Sequence, residues 1–194
     1  MRILLIDNYD SFTHNLARYI KIASKAPLSI IKNDELSLEQ IIQLNPSILV
    51  LSPGPGAPSD SGISLKCLDY FAHKIPILGI CLGHQCIGTY FGGKISNAET
   101  ILHGKISMIS HTKDPLFQDI PSPFEATRYH SLVILNNTLP SFIDIIAQSD
   151  NEIMAIKHKT LPIYGLQFHP EAYLTLHGQQ LINNFFNNLK EKKQ

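Results

Sequence analysis

The hydrophobic positions fall into two textures. Ile3-Leu4-Leu5-Ile6 and Ile48-Leu49-Val50-Leu51 are continuous apolar runs. They are too short for helices and too uniform for strands with one face in water, so they predict fully buried strands. Between and after them the apolar residues recur at helical spacing. Phe12, Leu16, Tyr19 and Ala23 mark one helix, Ser37 to Leu44 a second stopped by Pro46, and Ile63 to Phe71 a third. A further run, Ile75-Pro76-Ile77-Leu78, ends at Gly79, and the segment beyond it can turn helically as far as Gly92-Gly93. This alternation predicts a mostly parallel central sheet with helices on both faces. After Gly93 short β-like segments take over: Lys105 to Ser110, Phe124 to Tyr129, Ile143 to Gln148, Glu152 to Lys157 and Ile163 to Phe168. Turn residues separate them, which predicts additional antiparallel strands in the second half. Leu181, Phe185 and Leu189 mark a last helix, with a frayed tail expected from Lys190 to Gln194. No repeat, low-complexity segment or linker divides the chain, so residues 1–194 are expected to form a single α/β domain.

Composition removes several function classes. Sixteen basic and sixteen acidic residues cancel, leaving no electrostatic footprint for nucleic acid. No apolar run approaches bilayer length, so no membrane partner is expected. Met1-Arg2 leads straight into the first strand, which argues against a secretory signal. Cys67, Cys81 and Cys86 fit neither a disulfide framework nor a zinc spacing. A reducing, cytoplasmic setting and no metal or cofactor are the expectation.

In open α/β sheets, sites lie beyond the carboxyl ends of the strands. Asp7-Asn8-Tyr9-Asp10-Ser11, Ser52-Pro53-Gly54-Pro55-Gly56-Ala57-Pro58 and Cys81 all fall there. Gly79-Ile80-Cys81-Leu82-Gly83 is the cysteine version of a nucleophile elbow, in which a strand-to-helix turn lifts the nucleophile above the sheet. The positive end of the following helix favours thiolate. A buried core cysteine in a βα turn gives the same local pattern, so this stretch alone leaves both readings open. A cysteine nucleophile needs a base, and the base an orienting group. His169 and Glu171, in Gln167-Phe168-His169-Pro170-Glu171, would project to one side if the backbone stays extended. Glu171 could then hold one imidazole nitrogen while the other faces Cys81. The backbone N–H groups of Gly54 and Leu82 could supply an oxyanion hole. Gln85, one helical turn after Cys81, could reach substrate or cap locally. His84 and Cys67 read as packing residues, and Tyr129-His130-Ser131-Leu132 and His103-Gly104-Lys105 as turns.

Together these motifs, in this order and spanning nearly the whole chain, resemble class I (triad) glutamine amidotransferases. Asp7-Asn8-Tyr9-Asp10-Ser11-Phe12 and Tyr129-His130-Ser131-Leu132 narrow the resemblance to the glutaminase subunits of anthranilate synthase and aminodeoxychorismate synthase. The resemblance implies that Cys81 attacks the side-chain carboxamide of L-glutamine. His169, held by Glu171, protonates the departing nitrogen and then activates water against the thioester. It also implies glutamine contacts from Gly54, Pro55, Gly56, Gln85, Ser131 and Leu132. The ammonia passes to a chorismate-binding synthase subunit, component I of either synthase, and no cofactor is needed. Two positions depart from the family pattern: Ala172 stands where serine usually follows His-Pro-Glu, and Cys86 where alanine is frequent. Neither removes an acting group, so activity is expected to survive. The competing expectations are a glutaminase for another synthetase, such as those making GMP or carbamoyl phosphate, a non-catalytic regulatory subunit of the same fold, and a γ-glutamyl hydrolase.

Overall fold

The computed structural model describes residues 1–191, with the side chains of residues 99–103 and 191 not described. The expected tail from Lys190 therefore lies mostly outside the described residues, as does the side chain of His103. The chain runs β1 (Ile3–Asp7), α1 (Thr13–Ser24), β2 (Leu28–Lys32), α2 (Leu38–Leu44), β3 (Ile48–Leu51), α3 (Ser64–Phe71), β4 (Ile77–Ile80), α4 (Leu82–Tyr90) and β5 (Ile95–His111). It continues through β6 (Phe124–Ile134), β7 (Ile143–Ser149), β8 (Glu152–His158), β9 (Ile163–Leu166) and α5 (Gly178–Glu191). The nine strands among the described residues form one mixed sheet in the order β2-β1-β3-β4-β9-β8-β7-β5-β6, flanked by the helices.

The continuous apolar runs follow from this sandwich. Successive strand residues point to opposite faces, and both faces are covered. Ile3, Leu5, Val50 and Leu78 pack with Leu16, Ile20, Leu181 and Phe185 of α1 and α5 on one side. Leu4, Ile6, Leu49 and Ile77 pack with Cys67, Leu68, Phe71 and Ile87 of α3 and α4 on the other. The helix boundaries follow capping chemistry. Ser37 and Gln40 form a capping box at the start of α2, and Asn45 closes it in the left-handed conformation. At α1 the Asp10 carboxylate accepts from the Phe12 N–H at 2.7 Å, and Asp7 accepts from the Thr13 hydroxyl at 2.8 Å.

Two strand expectations are corrected. β2 has no counterpart in the sequence reading, because Ser29 and Lys32 interrupt its apolar residues and only Ile31 is buried. It is an edge strand, needing one partner and one buried face. The segment from Ile163 does not add an antiparallel strand alone: β9 lies parallel to β4 and antiparallel to β8. It is therefore the joint between the parallel half and the antiparallel half. Its register positions the functional loops. Leu51 pairs with Gly79, Gly79 with Gly165 and Ile80 with Leu166. The loops after β3, β4 and β9 consequently emerge side by side at one edge of the sheet. A bridge between Thr127 and His169 then draws β6 across that edge. No helix among the described residues is long and apolar enough to cross a membrane.

Candidate active site

Cys81 is the joint between β4 and α4, with φ 50° and ψ −100°. A non-glycine residue in this region costs about 1–3 kcal/mol and persists only where its surroundings hold it. Here the Cys81 N–H donates to the Leu166 carbonyl at 2.7 Å, and the Cys81 carbonyl accepts from the Gln85 N–H at 3.0 Å. The turn also requires bare backbone on both sides. A Cβ on Gly79 would sit 2.4 Å from the Gly83 carbonyl, and one on Gly83 would sit 2.4 Å from the Leu51 carbonyl oxygen. The first N–H groups of α4, beginning with Leu82, have no acceptor within their own helix and point towards the sulfur end. Gly54 lies against Leu82 and Asn8, so close that a Cβ on it would meet Asn8 at 2.5 Å. Asn8 in turn pins this loop: its N–H donates to Ser52 Oγ at 2.8 Å and its Nδ2 to the Ser52 carbonyl at 2.9 Å.

His169 and Glu171 meet, though by a different backbone path from the extended one expected. Pro170 and Glu171 form a turn, in which the Ala172 N–H donates to the His169 carbonyl at 3.3 Å. Thr175 Oγ1 donates to the same carbonyl at 2.8 Å. His169 Nδ1 lies 2.7 Å from Glu171 Oε1, which assigns Nδ1 as donor and leaves Nε2 for Cys81. The rings of Phe12 and Tyr129 pack edge-on against the imidazole, with centroids at 6.3 and 5.1 Å. Burial works against the imidazolium, but Cys81 and Glu171 together outweigh it and hold His169 well above its ordinary value. Cys81 and His169 line one small cavity of about 150 Å³ with Asp10, Ser11, Phe12, Pro53, Gly54 and Tyr129. Burial pushes the Asp10 carboxyl there upward.

A second cavity of about 250 Å³ opens on the other side of Cys81. Gly54, Pro55, Gly56, Gln85, Ser131 and Leu132 all line it, joined by Tyr129 and His130. Pockets for drug-sized ligands occupy about 300–1,000 Å³, so this volume suits a ligand of amino-acid size. Tyr129-His130-Ser131-Leu132 is not the surface turn expected but part of β6. It becomes strand because β5 pairs along it. His103-Gly104-Lys105 likewise lies within β5, where a register shift falls between His103 and Lys105 and Gly104 adopts φ +66°. A third cavity, of about 650 Å³, lies among His73, Tyr90, Phe91, Gly92, Phe142 and His158. It contains no nucleophile.

Two further histidines support the site from behind. His84 is fully buried, and burial pushes its ring down to about 3. His130 accepts from Arg128 Nε at 3.0 Å, and burial together with the Arg128 charge pushes it also to about 3. Arg128 is itself buried and paired with Glu152. Because both rings stay neutral in the fold but protonate near 6.5 when unfolded, their contribution is complete above that value and declines below it. Unfolding free energy, followed by urea titration, is expected to fall between pH 6.5 and 5 by about 1.4 kcal/mol per pH unit for each ring. His169, raised in the fold, contributes in the opposite sense: fully below 6.5, and progressively less as pH rises through its folded value. Unchanged stability down to pH 5 would contradict the buried, neutral state of the pair.

Gln167 is a polar member of the site to which the sequence reading gave no role. It is fully buried and within reach of both Cys81 and Gln85. Its one signal in the chain is an amide placed inside the otherwise apolar segment from Ile163 to Phe168.

Residues 4–189 match the family model described as Glutamine amidotransferase class-I. The chain is 46% identical over 191 residues to the aminodeoxychorismate/anthranilate synthase component 2 of Bacillus subtilis, covering 98% of each. It is 48% identical over 188 residues to the bifunctional protein TrpGD of Thermotoga maritima, spanning 96% of this chain but only 32% of that protein. Among solved structures, a provisionally assigned GMP synthase subunit from Thermoplasma acidophilum superposes with a TM-score of 0.84 at 27% identity, covering 100% of this chain and 98% of that one.

Proposed function

This chain belongs to the glutamine amidotransferase class-I family, and we propose that it releases ammonia from L-glutamine through Cys81, His169 and Glu171. The observation that carries this reading is Cys81 held at a strained elbow and lining one cavity with an imidazole whose other nitrogen is bound by a buried carboxylate. In the proposed sequence the substrate lies in the 250 Å³ cavity, contacted by Gly54, Pro55, Gly56, Gln85, Ser131 and Leu132. Cys81 gives its proton to His169 Nε2 and its sulfur attacks the carboxamide carbon. The developing oxyanion is held by the N–H groups of Gly54 and Leu82. His169 passes the proton to the leaving nitrogen, and ammonia departs as the C–N bond breaks. A water then yields a proton to His169 and attacks the thioester, releasing glutamate and restoring the thiol. Glu171 stabilises the imidazolium in both halves.

The acceptor proposed for the ammonia is a chorismate-binding synthase subunit, component I of anthranilate synthase or aminodeoxychorismate synthase. The names of the component 2 relatives support that class of partner. Ammonia released into bulk water would protonate and cease to be a nucleophile, so a closed path to the acceptor is needed. Tyr173, Leu174 and Leu176, just beyond Glu171, leave apolar surface exposed beside the site, consistent with a partner there. We read residues 1–194 as one catalytic unit acting in the cytoplasm.

A glutamine-shaped electrophile tests the assignment. Burial pushes Cys67 to about 12 and Cys86 to about 11, so neither ionises near neutrality. Site-resolved mass spectrometry is expected to find the label on Cys81 alone, with competing glutamine slowing its arrival. Label on Cys67, or a rate indifferent to glutamine, would overturn the reading.

A further inference from the structure

Cys81 has a hydrogen-bond donor that the proposed sequence does not use. Gln167 Nε2 lies 3.7 Å from Cys81 Sγ, within range for a bond to sulfur. An amide can be turned end for end, which would present oxygen to the sulfur instead. The surrounding bonds exclude that arrangement. The Leu132 carbonyl can only accept, so the Gln85 atom 2.9 Å from it is the nitrogen Nε2. That nitrogen also lies 3.1 Å from Gln167, so the Gln167 atom facing it must accept and is Oε1. Gln167 Nε2 is therefore left pointing at the sulfur. A main-chain carbonyl in β6 thus sets the orientation of two side-chain amides and, through them, the environment of the residue at the elbow.

We infer that Gln167 is a catalytic hydrogen-bond donor to the Cys81 sulfur, held in its donating orientation by Gln85 and the Leu132 carbonyl. The inference rests on the reading of Cys81 as nucleophile. The chemistry follows from what changes at sulfur. A thiol accepts weakly, but once its proton moves to His169 Nε2 the sulfur is an anion, and a donor to an anion is roughly twice as strong as a neutral one. Gln167 is fully buried and supplies the stabilisation that water gives an exposed thiolate. Being neutral, it does not compete with His169 for the proton. Both Gln85 Nε2 protons are engaged, so Gln85 presents only Oε1 to the 250 Å³ cavity.

The test is alkylation of Cys81 by iodoacetamide, resolved by mass spectrometry from about pH 5.5 to 9.5, beside thermal unfolding of each protein. Iodoacetamide reports the sulfur without requiring glutamine turnover. The titratable groups facing Cys81 are His169 with Glu171 behind it, Asp10 from the loop after β1, and Tyr129 and His130 from β6. His84 lies on α4 beneath. All stay in place, so differences between variants read the donor. Gln167→Met keeps the length and removes the donor. It is expected to slow alkylation at pH 7 about tenfold and to move the half-maximal rate up by about one pH unit, with the rate at high pH retained. Gln167→Glu is expected to be slower still. Gln85→Met, which does not touch the sulfur, should shift the profile in the same direction by less, because Gln167 is then free to turn. A folded Gln167→Met protein with the unmodified profile would overturn the inference. Should that variant fail to fold, an unchanged profile in Gln85→Met does the same. A Cys81 that resists alkylation in the unmodified chain at every pH sinks the nucleophile reading itself, an outcome distinct from unmoved variants.

Discussion

Replacing Cys81 by alanine is expected to lower glutamine-dependent synthesis by the chain together with its proposed synthase partner at least about 10⁴-fold while synthesis from added ammonium salts continues. The asymmetry is the informative part. Alanine removes the sulfur proposed to form the thioester, but it leaves the methyl-sized Cβ at φ 50°, and Cys81 is only 5% exposed, so little surface changes. Ammonia supplied from solution needs no thioester, and a partner that stays docked can still consume it. Parallel assays with glutamine and with ammonium at equal partner concentration measure both arms. Retained glutamine use would show that another group attacks the carboxamide. Loss of both arms would show instead that the substitution disturbs the complex.

Glu171→Gln is expected to cost about 10³–10⁴-fold in glutamine hydrolysis with little change in thermal stability. Glu171 Oε1 accepts from His169 Nδ1 at 2.7 Å, and the carboxylate is among the groups that raise His169 above its ordinary value against the cost of burying it. An amide in its place can turn its NH₂ towards Nδ1, which then becomes the acceptor and forces the ring proton onto Nε2. Nε2–H faces Cys81 and cannot take the thiol proton. Without the carboxylate charge one of the two groups that raise the imidazole against burial is lost, and its position moves down. The pH profile of the residual activity should therefore change as well as its height. A variant that keeps activity within about tenfold would reduce Glu171 to a structural role.

The same residues show where the chain can be read directly. The buried strands were legible because both faces of the parallel half are covered, so Ile3 to Ile6 and Ile48 to Leu51 have no polar position to confuse the pattern. The elbow was legible because its two glycines sit where any Cβ would strike the opposing backbone. β2 was not, since an edge strand with alternating exposure carries too weak a pattern over five residues. β6 was misread at Tyr129 to Leu132 because polar residues lining a cavity look like a turn when the cavity is invisible. The His169–Glu171 contact was anticipated, but through an extended backbone; the chain reaches it through a turn tied down by Thr175.

Local chemistry determined which residues are able to act. A thiol, an imidazole, a carboxylate and glycine-rich loops are properties of the chain at short range, and each was set by residue type and by the backbone angles that type permits. Tertiary structure alone decided which groups meet. β9 runs parallel beside β4 with Ile80 opposite Leu166, and that register brings residues 81 and 169 to the rim of one cavity. The orientation of the Gln167 amide depends on a carbonyl in β6 reached through Gln85. Hydrogen-bond direction between residues so far apart along the chain depends on where strands pair, and pairing is the outcome of burying every face of the sheet together rather than of any one segment.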